Sequence, residues 1–228
     1  MKQKPIYLLA GGRGGGSMDD ILKAVFADIG IAVPRIAYVG AANGDNPEFF
    51  GRMAGMIRAV RDCTIIHALT CGKADVKKAV RTINSPDAVF VSGGDVEAGM
   101  EVLREKDLTG VFSELHDQGR LLFAVSAGSI MLASQWVRWP DPDDDSTAEL
   151  FPCLGVAPII CDTHGEADGW EELKSAVSLC PEGTVGYGIT SGTCLRVTAG
   201  TNPTALAGSI SRYVRSNGVT AKGTDLLP

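Results

Sequence analysis

A single serine separates an apolar run from a helix-like segment in "GRLLFAVSAGSIMLAS", residues 119–134. The apolar run predicts a buried strand and the pattern after the serine predicts a helix, so Ser126 occupies a strand-to-helix turn. Two interpretations are open: Ser126 is an N-cap or small turn residue, or it is a nucleophile on a sharp elbow. A crowded elbow requires small neighbours, and the sequence supplies Ala124, Ala127 and Gly128.

A candidate general base follows the serine along the chain. His164, in "CDTHGE" (161–166), is the only histidine after Ser126. A serine hydroxyl becomes a nucleophile when a histidine takes its proton. A lone histidine is also often a hydrogen-bonded polar residue without a chemical role. The sequence leaves both roles open for His164.

Backbone amides that could stabilise an oxyanion follow a second buried strand. In "SGGD" (92–95), Gly93 and Gly94 turn the chain and Asp95 can N-cap the next helix. The same turn can aim amides at a developing negative charge, as can the N–H of Ala127 at the start of the helix after Ser126. A tight turn and an oxyanion hole are compatible roles for this segment.

Two acids flank the histidine. Asp162 and Glu166 lie two residues either side of it, and an extended chain would put all three side chains on one face. Either acid could orient the imidazole as the third member of a catalytic arrangement. The simpler interpretation, which we favour, is that both are solvated loop charges.

The elements that must position these residues alternate along the first part of the chain. Short apolar runs closed by Gly, Ser or Ala predict buried parallel strands, with amphipathic helices between them. The predicted strands are 5–10, 35–40, 63–69, 88–93 and 120–125. In the first helix, an apolar stripe precedes Gly30, and Ser17 with Asp20 resembles a capping box.

The pattern changes after residue 145, where strands alternate with Gly- and Asn-containing turns. Ser216-Asn217-Gly218 is a hairpin signal. We therefore predict one α/β domain over residues 1–228, a flavodoxin-like three-layer sandwich. Its mostly parallel sheet carries helices on both faces and continues into antiparallel strands near the C-terminus.

Composition narrows the class of function. A net charge of −6 argues against nucleic acid as a partner, and no apolar run is long enough to span a membrane. The six cysteines form no CxxC pair and predict reduced thiols in a cytoplasmic protein. The three histidines lack the spacing of metal ligands, so we expect no metal.

A glycine-rich loop, "GGRGGGS" (11–17), raises the possibility of phosphate binding. It lacks the Gly-Lys-Ser/Thr ending of a P-loop, and the GxGxxG spacing fails because Ser17 stands where the last glycine belongs. These glycines more simply let the backbone pass close to a neighbouring loop. We expect no cofactor.

Taken together, strand–"GGD"–helix, strand–"SAGS"–helix and the later "CDTHGE" resemble the family of aspartyl dipeptidase E and cyanophycinase. These are serine peptidases on a class I glutamine-amidotransferase-like fold. The resemblance extends from "LLAGGRGGG" to "GYGITSGTCLRV". It implies that Ser126 is the nucleophile and His164 the base, with oxyanion amides from Gly93 or Gly94 and Ala127.

The resemblance also implies a third catalytic group. Asp141, in "VRWPDPDDD", falls where the family has an acid after the nucleophile helix, whereas Ser191 stands where relatives carry a later Glu. The family's Arg-containing stretch after the histidine is absent, and Val96 replaces a Gln that often follows "GGD". These departures concern substrate recognition more than fold.

The sequence therefore predicts a serine peptidase that hydrolyses small peptides, of dipeptidase or β-aspartyl type, through an acyl-enzyme. It would act as a monomer or small homo-oligomer on a peptide substrate. The acidic loop 141–149 would repel acidic substrates and favour a basic or amino-bearing end. The alternative is a silent or weak relative that binds a small ligand at the elbow. An amidotransferase is disfavoured because that class uses Cys where this chain has Ser126.

Overall fold

A computed structural model describes residues 3–12 and 18–228. The predicted capping-box residue Ser17 and most of the glycine-rich loop 11–17 lie outside the described residues. In the described part, no helix combines the length and apolar character that a membrane crossing needs.

A mixed sheet forms the centre of the molecule, as the sequence predicts. Its strand order is β11-β10-β1-β5-β4-β2-β3. Strands β1 to β5 run parallel, β10 is antiparallel to its neighbour β1, and β11 is antiparallel to β10. The bounds of these strands are β1 Ile6–Leu9, β2 Arg35–Val39, β3 Thr64–Ala68, β4 Ala88–Val91, β5 Leu121–Val125, β10 Cys194–Val197 and β11 Thr204–Leu206.

Helices cover both faces of this sheet because successive strand residues point to opposite sides. In β5, Leu122 and Ala124 join one core cluster, while Leu121 and Phe123 join another. Helices α1 and α2 pack on the second cluster, and α3 to α6 on the first. The helix bounds are α1 Met18–Ile29, α2 Pro47–Val60, α3 Val76–Asn84, α4 Val96–Glu105, α5 Thr109–Asp117, α6 Ala127–Leu132 and α7 Glu171–Ser178.

The C-terminal strands divide differently from the prediction. Only β10 and β11 extend the central sheet; the others build a second sheet, ordered β13-β12-β9-β8, on which α7 packs, and β6 pairs with β7 apart from both. The sequence did not distinguish these sheets because strand patterns do not specify partners. The remaining bounds are β6 Gln135–Arg138, β7 Glu149–Pro152, β8 Ile160–Thr163, β9 Val185–Ile189, β12 Ser211–Ser216 and β13 Val219–Lys222.

Several local predictions are confirmed. The apolar stripe of α1 is fully buried, and the helix ends before Gly30, which has a φ of 71°. Asp95 caps α4 by accepting the N–H of Ala98 at 2.8 Å. Asn217 and Gly218 both have positive φ, which is the type I′ geometry expected for the hairpin between β12 and β13.

Candidate active site

Ser126 lies on a strained turn at the carboxyl end of β5. Its φ of 53° and ψ of −129° are unusual for a residue with a side chain, and such geometry costs about 1–3 kcal/mol. The turn is held by the Ser126 N–H, which donates to the carbonyl of Leu9 at 2.8 Å. Within the described structure, the hydroxyl makes no capping hydrogen bond to α6. The N-cap interpretation therefore does not explain a serine here.

The turn is crowded as an elbow requires. A Cβ added to Gly128 would lie 2.4 Å from the carbonyl oxygen of Val91, and one added to Gly93 would lie 3.0 Å from the Cβ of Ser126. Real Cβ atoms do not tolerate the first of these contacts. Gly128 therefore lets α6 pack closely against the end of β4, and Gly93 lets the loop after β4 approach the serine.

The loop after β2 supports the loop that carries Gly93 and Gly94. Gly94 has a φ of 149°, and an added Cβ would lie 1.9 Å from the carbonyl oxygen of Ala42. The side-chain amide of Asn43 donates to the carbonyl of Gly93 at 2.8 Å and to the hydroxyl of Ser92 at 2.9 Å. These contacts fix the Gly93–Gly94 backbone beside the serine. Sequence reasoning missed Asn43, although its position after a buried strand in "GAANGDN" was a signal.

His164 reaches the site from the second sheet. It directly follows β8, and its φ of 66° turns the chain out of the strand. Ser191 follows β9, the parallel neighbour of β8, so both residues emerge at the same edge of that sheet. The Nδ1 atom of His164 lies 3.0 Å from the hydroxyl oxygen of Ser191. The second sheet thereby holds the imidazole.

One cavity of about 320 Å³ joins Ser126 and His164. Its lining includes Gly93 and Gly94, and on the β1 side Gly11 and Gly12, together with an apolar wall from α1 and α2. Within residues 3–12 and 18–228, no hydrogen bond joins the serine hydroxyl to the imidazole. Such contacts are often loose without a bound substrate.

Glu166 lies behind Ser191. One carboxylate oxygen of Glu166 accepts the backbone N–H of Ser191. Partial burial alone would raise the pKa of the Glu166 carboxyl, but hydrogen bonds from Ser191 and the nearby charge of His164 hold this pKa below its usual value. Glu166 is therefore a carboxylate at neutral pH, and a serine stands between it and the imidazole.

The described hydrogen bonds of Asp162 do not include one to the imidazole. Its carboxylate accepts the N–H of Thr163 at 2.7 Å and packs beneath α7, near Glu172. Burial, with the charge of Glu172, raises the pKa of Asp162 to about 7. The prediction that it shares a face with His164 assumed an extended chain, and the positive φ of His164 breaks that alternation.

Asp141 also lies apart from the imidazole, and its described hydrogen bonds are local. Its side chain accepts the N–H of Asp143 at 3.1 Å, and its backbone carbonyl accepts the hydroxyl of Thr147 at 3.0 Å. No residue of the acidic loop 141–149 belongs to the described lining of the cavity. The sequence could not locate this loop, because its path depends on the pairing of β6 with β7.

Of the predicted site residues, the structure brings Ser126 and Ala127, at the turn after β5, close to Gly93 and Gly94 in the loop after β4. His164 lines the same cavity as Ser126. Glu166 lies behind Ser191, which stands between its carboxylate and the imidazole. The described residues contain no group of three or more His, Cys, Asp or Glu side chains that could hold a metal ion.

Comparison with known proteins shows which family this chain matches. The model of peptidase family S51 matches residues 6–203. Among proteins with curated annotation, none matches this sequence significantly. The crystal structure of a peptidase from an acI-B1 actinobacterium aligns with a TM-score of 0.72 at 16% identity, over 100% of this chain and 98% of that chain.

A second solved structure, of a putative peptidase E protein from Listeria monocytogenes EGD-e, aligns with a TM-score of 0.60. The two sequences are 11% identical, and the alignment covers 90% of this chain and 98% of that one. Likeness at these identities shows a shared fold.

Proposed function

Because the chain belongs to peptidase family S51, we propose that it is a serine peptidase that hydrolyses small peptides through an acyl-enzyme. The observation that carries this proposal is the backbone of Ser126. Ser126 combines a strained φ of 53° with a hydroxyl that does not cap α6, and it lies at a cavity that His164 also lines. Strain of this kind is retained where it serves the chemistry of a site.

In the proposed mechanism, His164 is the general base. Its Nδ1 faces Ser191, so Nε2 is the nitrogen left for the Ser126 proton. The serine oxygen attacks the peptide carbonyl, and the imidazolium then protonates the leaving amine as the C–N bond breaks. A water molecule, deprotonated by the same imidazole, hydrolyses the ester and returns the hydroxyl to Ser126.

The negative oxygen of the tetrahedral intermediate would be stabilised by backbone amides. Ala127 begins α6 directly after the nucleophile, and Gly94 lies in the loop that Asn43 and Ala42 hold against the elbow. Amides fixed before the reaction need no reorganisation when the charge develops, which is why such donors lower the barrier.

Ser191 and Glu166 would together replace the usual third carboxylate. The hydroxyl of Ser191 accepts the Nδ1 proton and so fixes the imidazole tautomer. Glu166 supplies negative charge behind it. We propose this pair in preference to Asp141 and Asp162, because neither of those carboxylates has a described hydrogen bond to the imidazole.

The test combines hydrolysis with labelling. A dipeptide panel (Asp-X, β-Asp-Arg, Gly-X, Lys-X and apolar-X) is incubated with the wild type and with Ser126→Ala. A fluorophosphonate, which forms a bond to an activated serine with loss of fluoride, reports nucleophilicity independently of the substrate. We expect labelling at Ser126, and hydrolysis that disappears in Ser126→Ala but persists in Ser178→Ala, an exposed serine on α7.

The second candidate is a silent relative that binds a small ligand. The observation that favours it is a hydroxyl, rather than a carboxylate, on the Nδ1 of His164. Absence of both labelling and hydrolysis would support this candidate and overturn the peptidase proposal.

We also propose a cytoplasmic location, which the state of the thiols supports. All six cysteines are free, and four of them are buried. Free thiols persist in reducing compartments, which supports a cytoplasmic location.

A further inference from the structure

The cavity at Ser126 has one wall made of apolar side chains. Helices α1 and α2 present thioether and aromatic groups to the space in which a substrate would lie. These residues are Met18, Phe49, Met53 and Met56, with Val125 beside the serine. The first four are half-buried, so they pack on the core beneath and still face the cavity.

Charge is scarce on the described lining of this cavity. In the part of the chain that the structure describes, His164 is the one ionisable side chain that lines the cavity. Arg52 belongs to the same helix as Met53 but is exposed, and its guanidinium carbon lies 4.6 Å from the centre of the Phe49 ring. The described cavity thus offers a substrate side chain no ion-pair partner apart from the catalytic imidazole.

The physical consequence is a preference for apolar groups. A carboxylate or ammonium placed against this wall would lose water and gain no partner, which is unfavourable. An apolar side chain gains about 25 cal/mol for each Å² that it buries. Methionine side chains are flexible, so the wall can adapt to groups of different shape.

The volume limits the size of the occupant. Pockets for drug-sized molecules range from about 300 to 1,000 Å³, and this cavity of about 320 Å³ lies at the low end of that range. A dipeptide or one end of a short peptide is therefore a better match than a polymer.

We propose that this cavity selects substrates with an apolar, uncharged side chain of the Met, Leu or Phe type on a residue beside the scissile bond. This inference rests on the proposed peptidase function. It replaces the expectation of a basic substrate, since the acidic loop 141–149 does not contribute to the described lining.

The experiment is a matched panel in which only one side chain varies. Met-Ala, Leu-Ala, Phe-Ala, Asp-Ala, Lys-Ala and Gly-Ala, and the same pairs in reverse order, are compared by kcat/KM with the wild type. Each peptide is also scored by how far it slows fluorophosphonate labelling of Ser126, which reports binding without turnover. We expect the apolar members to exceed the Asp and Lys members by about tenfold or more in at least one order, because a methylene alone is worth about 10–200-fold.

Two variants of α2 test whether the wall causes the preference. Met53→Arg puts a cation into the lining, and should lower kcat/KM for the apolar members about tenfold while raising it for Asp-Ala. Ala59→Arg adds the same charge to the same helix at an exposed position and should leave the ranking unchanged. If Met53→Arg does not fold, Met56→Gln replaces it as the test of the wall, because glutamine is close to methionine in length and uncharged.

The outcomes separate the two proposals. If Ser126 is labelled but Asp or Lys members rank first, or all members lie within threefold by both readouts, the apolar site is wrong and the peptidase stands. If Ser126 is not labelled and nothing is hydrolysed, the proposed function fails, and the inference fails with it.

Discussion

The Nδ1 atom of His164 lies 3.0 Å from the hydroxyl oxygen of Ser191, and no carboxylate of the described residues hydrogen-bonds to it. Both residues follow parallel neighbouring strands of the second sheet, so their approach is a property of strand order. A neutral hydroxyl fixes the tautomer of an imidazole but adds no charge. The negative charge of Glu166 reaches the imidazole only from behind Ser191.

We predict that Ser191→Ala lowers kcat about fivefold and changes KM little. A neutral hydrogen bond contributes about 0.5–1.5 kcal/mol, which is far less than a buried triad carboxylate contributes. Steady-state kinetics on the best panel substrate measure this effect, with Ser178→Ala as the control for loss of an exposed hydroxyl. A thousandfold loss would contradict the modest role given to Ser191.

Because the backbone at Ser126 is strained, we predict that two inactive variants differ in stability. Ser126→Gly should be more stable than Ser126→Ala by about 1 kcal/mol, because glycine accepts the φ of 53° whereas alanine retains the strain. Urea denaturation of both proteins gives the comparison. Equal midpoints would mean that the turn stores no strain.

Asn43→Asp should lower kcat about tenfold or more while KM stays within about twofold. The carboxylate cannot donate to the carbonyl of Gly93, so the oxyanion loop loses a support that matters most in the transition state. Asn84→Asp makes the same chemical change at the exposed end of α3 and should leave both constants unchanged. A rise in KM alone would argue for a role in substrate binding instead.

The raised pKa of Asp162 leads us to predict that the stability of the protein depends on pH. Its pKa is about 7 in the folded protein, against an ordinary value of 3.8. Between about pH 4 and pH 7, the folded state holds a proton that the unfolded state releases, so the free energy of unfolding falls as pH rises through this window. The loss is on the order of 2–4 kcal/mol, and it persists above pH 7.

Asp162→Asn should remove this decline and be more stable than the wild type at pH 8. Denaturation curves from pH 4 to pH 8 test this, with the exposed Asp143→Asn as the control that keeps the wild-type slope. If Asp162→Asn and the wild type decline in parallel, the buried carboxyl is not the source.

The sequence by itself determined the elements and the local chemistry of the elbow. Its short, continuous apolar runs predicted the five parallel strands, since each strand must bury both faces. The step from strand to helix at Ser126, the adjacent Gly93 and Gly94 and the cap at Asp95 are short-range features, and they form where the sequence indicates.

Tertiary structure alone decided which distant residues meet. The second sheet, formed by pairings that no local pattern encodes, carries His164 to the cavity and places Ser191 on its Nδ1. The positive φ of His164 ends the strand alternation that would put its side chain on one face with that of Asp162. Contacts between elements depend on pairing and packing across the whole chain, so Asn43 and the apolar wall of α2 became apparent only in three dimensions.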